Sequence, residues 1–94
     1  MNWTFSREDA DLVDRIVDRA ADLAPTVFDS RSRRTALRMD LLAVHDQIDL
    51  ASLVKADGFN LLHDVCGLRA NINRTTGELM NNFVLRYTRR DDND

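Results

Sequence analysis

Two adjacent His-Asp pairs, His45-Asp46 and His63-Asp64, are the first residues of this chain whose types could do chemistry. Such dipeptides suggest the ligands of metal-dependent phosphohydrolases. Neighbours on a helix diverge by about 100°, however, so one pair cannot complete a metal shell, and further His or Asp ligands must come from other helices. With 2 histidines in the whole chain, a metal-dependent hydrolase using His45 and His63 is a subordinate expectation, and no metal or other cofactor is expected. The single cysteine, Cys66, falls in the apolar stretch Leu62-His63-Asp64-Val65-Cys66. That placement predicts a buried thiol in a reducing compartment, with no base fixed beside it by spacing. Glycine-rich loops that cradle phosphates are absent. The chain is therefore expected not to be an enzyme.

Binding chemistry is better represented. Asp11, Asp14, Asp18 and Asp22 recur at three- and four-residue steps, which puts four carboxylates on one face of a helix. Such a row can dock a basic surface or imitate a phosphate backbone, or it can be a solvated face laced by Arg15 and Arg19 at about 0.3 to 0.5 kcal/mol per pair. Arg31, Arg33, Arg34 and Arg38 cluster where a second helix should begin, and there the helix dipole opposes positive charge. Compensation is expected from the acidic first helix, or from a partner's carboxylates or phosphates, which arginine forks bidentately. A third group, Asn60, His63, Asp64 and Asn71 with Gly67, shares one helical face and reads either as a close helix crossing or as a polar notch for a partner.

Four helices must position these groups. Over residues 6–24, Leu12, Val13, Ile16, Val17, Ala20, Leu23 and Ala24 form one apolar stripe, with Ser6 as N-cap and Pro25 ending the segment. A second helix starts between residues 29 and 32 and runs to about 47, burying Leu37, Leu41, Val44 and Ile48. A short third, over 50–56, is capped by Asp49 and stopped at Asp57-Gly58, where the glycine can turn left-handed. The fourth, over about 59–73, carries Phe59, Leu62, Val65, Cys66 and Ile72 on one stripe and should be the most buried helix. Residues 74–77 read as a turn. Residues 83–87 have the content of an extended segment, with a hairpin involving residues 78–81 as an alternative.

The expected fold is thus all-α: a compact bundle of about four helices with a short extended or hairpin C-terminal segment. At 94 residues there is room for one domain, residues 1–88, followed by a polar tail over 89–94. With 3 Gly and 1 Pro the chain lacks the turn residues of a barrel or sandwich. The net charge of −3 is unevenly laid out: residues 1–29 hold 3 basic against 7 acidic groups, whereas 30–48 hold 4 against 2. This acidic balance argues against nonspecific binding to nucleic acid or anionic lipid. No apolar run reaches the roughly 18 residues of a membrane span, and Met1-Asn2-Trp3-Thr4-Phe5 is not a leader, so a cytoplasmic protein is expected. Broad apolar arcs on so small a bundle also suit a homodimer.

The stretch Met39-Asp40-Leu41 through Ala43-Val44-His45, then Asp49-Leu50, Leu53, Ala56-Asp57, Phe59-Asn60, His63-Asp64-Val65, Gly67-Leu68, Asn73-Arg74, Thr76-Gly77, Leu79, Phe83 and Arg86-Tyr87 carries a resemblance. It resembles a family of small uncharacterised proteins of bacteriophages, prophages and plasmids, a domain of unknown function. The likeness extends from about residue 20 to 87, and the family pattern carries a proline where this chain has Leu85. The resemblance implies a phage or mobile-element product in the bacterial cytoplasm and transfers no catalytic residue. The function expected is a non-enzymatic factor that binds and modulates a host protein, such as one of defence or transcription. Its contacts would be Arg31, Arg33, Arg34 and Arg38, with the aspartate row as a second surface. The alternative is a small DNA-associated regulator using the residue 31–38 arginine cluster, which places phosphates where the host protein would be.

Overall fold

Four polar side chains start the four helices seen among the described residues, 4–80, of this computed structural model. Ser6 Oγ accepts from Asp9 N at 3.0 Å and opens α1, Arg7–Leu23. Ser30 Oγ accepts from Arg33 N at 3.1 Å and opens α2, Arg31–Ala43. Asp49 caps α3, Leu50–Val54, through Ser52 N at 3.2 Å, and Asp57 caps α4, Gly58–Ala70, through Asn60 N at 3.0 Å. Each cap satisfies a backbone donor that the helix itself cannot, an effect of about 1 kcal/mol. Two short antiparallel strands follow, β1, Ile72–Asn73, and β2, Glu78–Leu79, paired Ile72 to Leu79 and Asn73 to Glu78. The all-α class with a C-terminal hairpin is as expected.

The first helix is the hub, packing on α2, α3 and α4. Val13, Ile16, Val17 and Ala20 supply its buried stripe and meet Leu37 and Leu41 of α2, Leu50 and Leu53 of α3, and Leu61, Val65 and Leu68 of α4 in one core. Truncating a fully buried member such as Ile16 to Ala should cost about 2 to 5 kcal/mol. Phe28, in the loop after Pro25, completes the core at 2% exposure. Its amide, like that of Val27, bonds Ala24 O at 3.0 Å, so the chain turns directly off the end of α1 and carries the ring inward.

Four boundaries differ from the sequence reading. The second helix stops at Ala43 rather than near 47. Val44 N and His45 N bond Leu41 O and Leu42 O at 3.3 and 3.4 Å, a tightened last turn that keeps Leu41 to His45 continuously buried. It also frees Gln47, whose Nε2 donates to Gly77 O at 2.9 Å and whose Oε1 accepts from Leu79 N at 3.2 Å, tying the loop to the hairpin. The fourth helix ends at Ala70, because Asn71 Nδ2 caps Gly67 O at 2.8 Å and Ile72 enters the strand. Gly58 is the first residue of α4 rather than a left-handed stop for α3. Only Gly77, φ 72°, has positive φ among the described residues, and it closes the hairpin turn with its amide on Asn73 O at 2.7 Å. The hairpin pairs residues 78–79 with 72–73; the expected extended segment 83–87 and the tail 89–94 lie outside the described residues.

The largest correction concerns the orientation of α4. Leu61, Asp64, Val65 and Leu68 face the core, whereas Phe59 is 77% exposed and Cys66 is exposed. Of the expected stripe, Val65 and Ile72 are buried and Leu62 is half-buried against the core, whereas Phe59 and Cys66 point outward, and α4 is not the most buried helix. Apolar residues lie on both flanks of this helix, so their spacing alone does not choose between two faces roughly half a turn apart.

Candidate functional site

The aspartate row forms a continuous outer face of α1. Asp11, Asp14, Asp18 and Asp22 are all exposed, and from the first to the last the helix rises about 16 Å at 1.5 Å per residue. Asp14 is paired, its Oδ1 accepting from Arg38 Nε at 2.8 Å. Asp11, Asp18 and Asp22 have no ion pair or hydrogen bond from their side chains among the described residues. The lacing expected from Arg19 does not form, because Arg19 reaches across to α3 and donates to Val54 O at 2.6 Å and Ala56 O at 2.7 Å. A guanidinium thereby satisfies the carbonyls at the end of α3, and the carboxylates beside it stay open to solvent. The last turn of α1 contains no basic residue, so Asp22 stands at the negative end of the helix dipole without relief.

The arginine cluster is mostly consumed within the molecule. Arg33 donates to Val27 O at 3.2 Å and lies 3.8 Å from Asp29, and Arg34 donates to Phe28 O at 3.0 Å. Arg38 holds Asp14, the one cross-link between the two charged faces among the described residues. Arg31 is exposed and makes no hydrogen bond or ion pair among the described residues. The charge at the start of α2 is thus offset chiefly by carbonyls of the preceding turn, a donor-to-backbone solution that charge counting along the sequence does not reveal.

The polar group on α4 is divided by the helix. Asn60 belongs to the cap, its Nδ2 on Asp57 Oδ2 at 2.6 Å, and Asn71 closes the other end. Asp64 is buried at 6% exposure, and His63, exposed, holds its Nδ1 3.3 Å from Asp64 Oδ1. His63 also stacks on Phe59, centroids 6.2 Å apart and planes at 23°. The structure therefore brings His63 and Asp64 together but leaves Asn60 and Asn71 at opposite helix ends. His45 lies elsewhere, buried between α1 and the end of α2, its ring edge-on to Phe5 at 5.7 Å and its Nδ1 3.3 Å from Asp9 Oδ2. The two histidines thus have different partners, Phe5 and Asp9 for His45 and Phe59 and Asp64 for His63. Among the described residues no three His, Cys, Asp or Glu side chains gather in a manner that could hold a metal ion. Nor is any helix among them long and apolar enough to cross a membrane.

Sequence reasoning passed over Asp40. Buried at 6% exposure on α2, it accepts from Arg69 Nε at 3.2 Å and from Arg74 Nε and Nη2 at 3.2 and 3.1 Å, joining α2, α4 and the hairpin turn. Its signal was present as a lone acid within Leu37-Arg38-Met39-Asp40-Leu41-Leu42. Two guanidinium groups on one carboxylate form a structural clamp.

Comparison with known families adds a classification. A model described as a family of unknown function matches residues 8–89, nearly the whole chain. The chain belongs to DUF6874. No curated protein and no solved structure matches it. For a DUF6874 chain the functional reading therefore rests on its own surfaces.

Proposed function

We propose that this DUF6874 protein is a small non-enzymatic binding factor whose acidic α1 face docks a basic surface of another protein. The observation that carries the reading is the row itself: among the described residues Asp11, Asp18 and Asp22 make no ion pair, while Arg19 is bound to α3 carbonyls and Arg38 to Asp14. Carboxylates left in line on a rigid helix repel one another, and at Asp22 they also oppose the dipole. A cationic partner relieves both costs at once. Arg31, exposed at the start of α2, offers a contact of opposite sign beside the ridge, and the two together set the orientation of docking.

The sequence resemblance to phage, prophage and plasmid products supports a bacterial host protein as the partner and modulation of that protein as the outcome. DNA binding gains little from the geometry, since Arg33, Arg34 and Arg38 already have acceptors. The test is affinity capture of the full chain from bacterial cells, alongside an Asp11→Asn/Asp18→Asn/Asp22→Asn variant. A stoichiometric protein partner retained by the wild type and weakened at least tenfold by the variant is expected. Absence of any such partner, or equal capture by both proteins, would overturn the proposal.

A further inference from the structure

On α4 the side chains of Phe59, Leu62, His63 and Cys66, with Gly67, line an open groove of about 690 Å³, and among the described residues no Asp, Glu, Lys or Arg lines it. Within it stand the two groups of this chain best suited to a borderline-soft metal ion, the exposed His63 and, one turn later, the exposed Cys66. Residues three apart on a helix hold their Cβ atoms about 5 to 6 Å from each other, close enough for one ion to take both side chains. We propose that His63 and Cys66 are half of a zinc site, and that a second copy of the chain supplies the other half across the groove.

His63 is already oriented as a ligand. A carboxylate accepts, so Nδ1 donates to Asp64 Oδ1 at 3.3 Å and the free lone pair falls on Nε2. Asp64 is buried at 6% exposure, and a fixed carboxylate behind an exposed imidazole is the pairing by which proteins aim a metal-bound histidine. Zinc takes four ligands, and one chain does not furnish them: it has 1 Cys and 2 His, and His45 is buried against Phe5. Two copies about a two-fold axis present two thiolates and two imidazoles, a complete tetrahedral shell. Charge closes as well. Each thiol releases its proton to solvent as its sulfur bonds the ion, and two thiolates on Zn2+ leave a neutral centre, which an apolar groove accommodates where a bare dication is costly. The groove is also a face on which two chains of net charge −3 can meet without setting like charges against each other. The same contact takes the exposed Phe59 ring out of water, and Gly67, beside Cys66, leaves room for the second helix.

Zinc chloride titrated into the metal-stripped full chain, with a non-thiol reductant present to exclude disulfides, tests the site. Light scattering should follow the mass from monomer to dimer as zinc is added, saturating at one ion per two chains. Cobalt(II) in place of zinc should give the intense visible absorption of tetrahedral thiolate coordination. Cys66→Ser and His63→Gln, both at exposed positions, should stay monomeric and bind zinc roughly 100-fold or more weakly, whereas His45→Leu should dimerise as the wild type does. Should a variant lose its helical circular dichroism, the stoichiometry and cobalt spectrum of the wild type decide. A chain that stays monomeric with zinc, leaving the groove to the chain itself or to a foreign protein, would overturn the proposal. So would one ion held per chain, a dimer indifferent to zinc, or undiminished zinc binding by the Cys66→Ser chain.

Discussion

His45 is held inside the protein without the hydrogen bonds that a buried imidazole ordinarily makes. Its Nδ1 lies 3.3 Å from Asp9 Oδ2 yet off the bonding direction, and neither ring nitrogen has a hydrogen-bond partner among the described residues. An unmade bond at a buried polar atom costs about 1 to 3 kcal/mol, while an apolar group of similar size in the same place has no such cost. Replacing His45 by Leu should therefore leave stability unchanged or raise it by about 1 kcal/mol, read as the urea midpoint at constant slope. A loss of more than about 1 kcal/mol would show that the Phe5 contact or the Asp9 carboxylate matters more than the orphaned nitrogens. The sequence places His45 next to Asp46, which suggests a metal pair. Only the fold reveals that the imidazole faces Asp9, some 36 positions earlier, and that Asp46 is exposed.

At the scale of elements, legibility followed amphipathicity. The first helix carries a single apolar stripe, a serine cap and a proline stop, and its observed bounds fall within a residue of those signals. The fourth helix has apolar residues nearly all round, so its existence could be read but its inward face could not. The end of α2 was hidden for another reason: Gln47, which the early stop frees, has its partners about thirty positions later. Its side-chain amide serves the hairpin as an extra strand would, with one donor and one acceptor. Gln47→Ala should cost about 1 to 2 kcal/mol through these two bonds. The loss should be local, speeding hydrogen exchange at Leu79 N well beyond any change at Val65 or Leu68 in the helical core. Uniform acceleration across both sites would mean that the hairpin and the bundle unfold as one unit.

Over the whole molecule, the charge pattern read from the sequence survives in three dimensions, but its internal balance does not follow the sequence. Counting charges suggests an acidic helix neutralised by a basic one, whereas the fold uses one pair, Arg38 with Asp14, and spends the remaining described arginines largely on carbonyls and on Asp40. What remains is an acidic ridge that folding leaves unrelieved. If the ridge is kept for binding, stability and function should move in opposite directions when it is changed. Asp22→Lys places a cation at the negative end of the α1 dipole and removes a like-charge neighbour of Asp18, a gain of about 0.3 to 1 kcal/mol. For a domain of this size that is about 2 to 6 °C in Tm, largest at low salt and fading as the Debye length shrinks. The same chain should capture its partner more weakly, by a factor that also narrows with added salt. Calorimetry and capture on the one variant test both halves: a Tm that falls would count against the unrelieved ridge, and capture that holds while Tm rises would move the contact off α1.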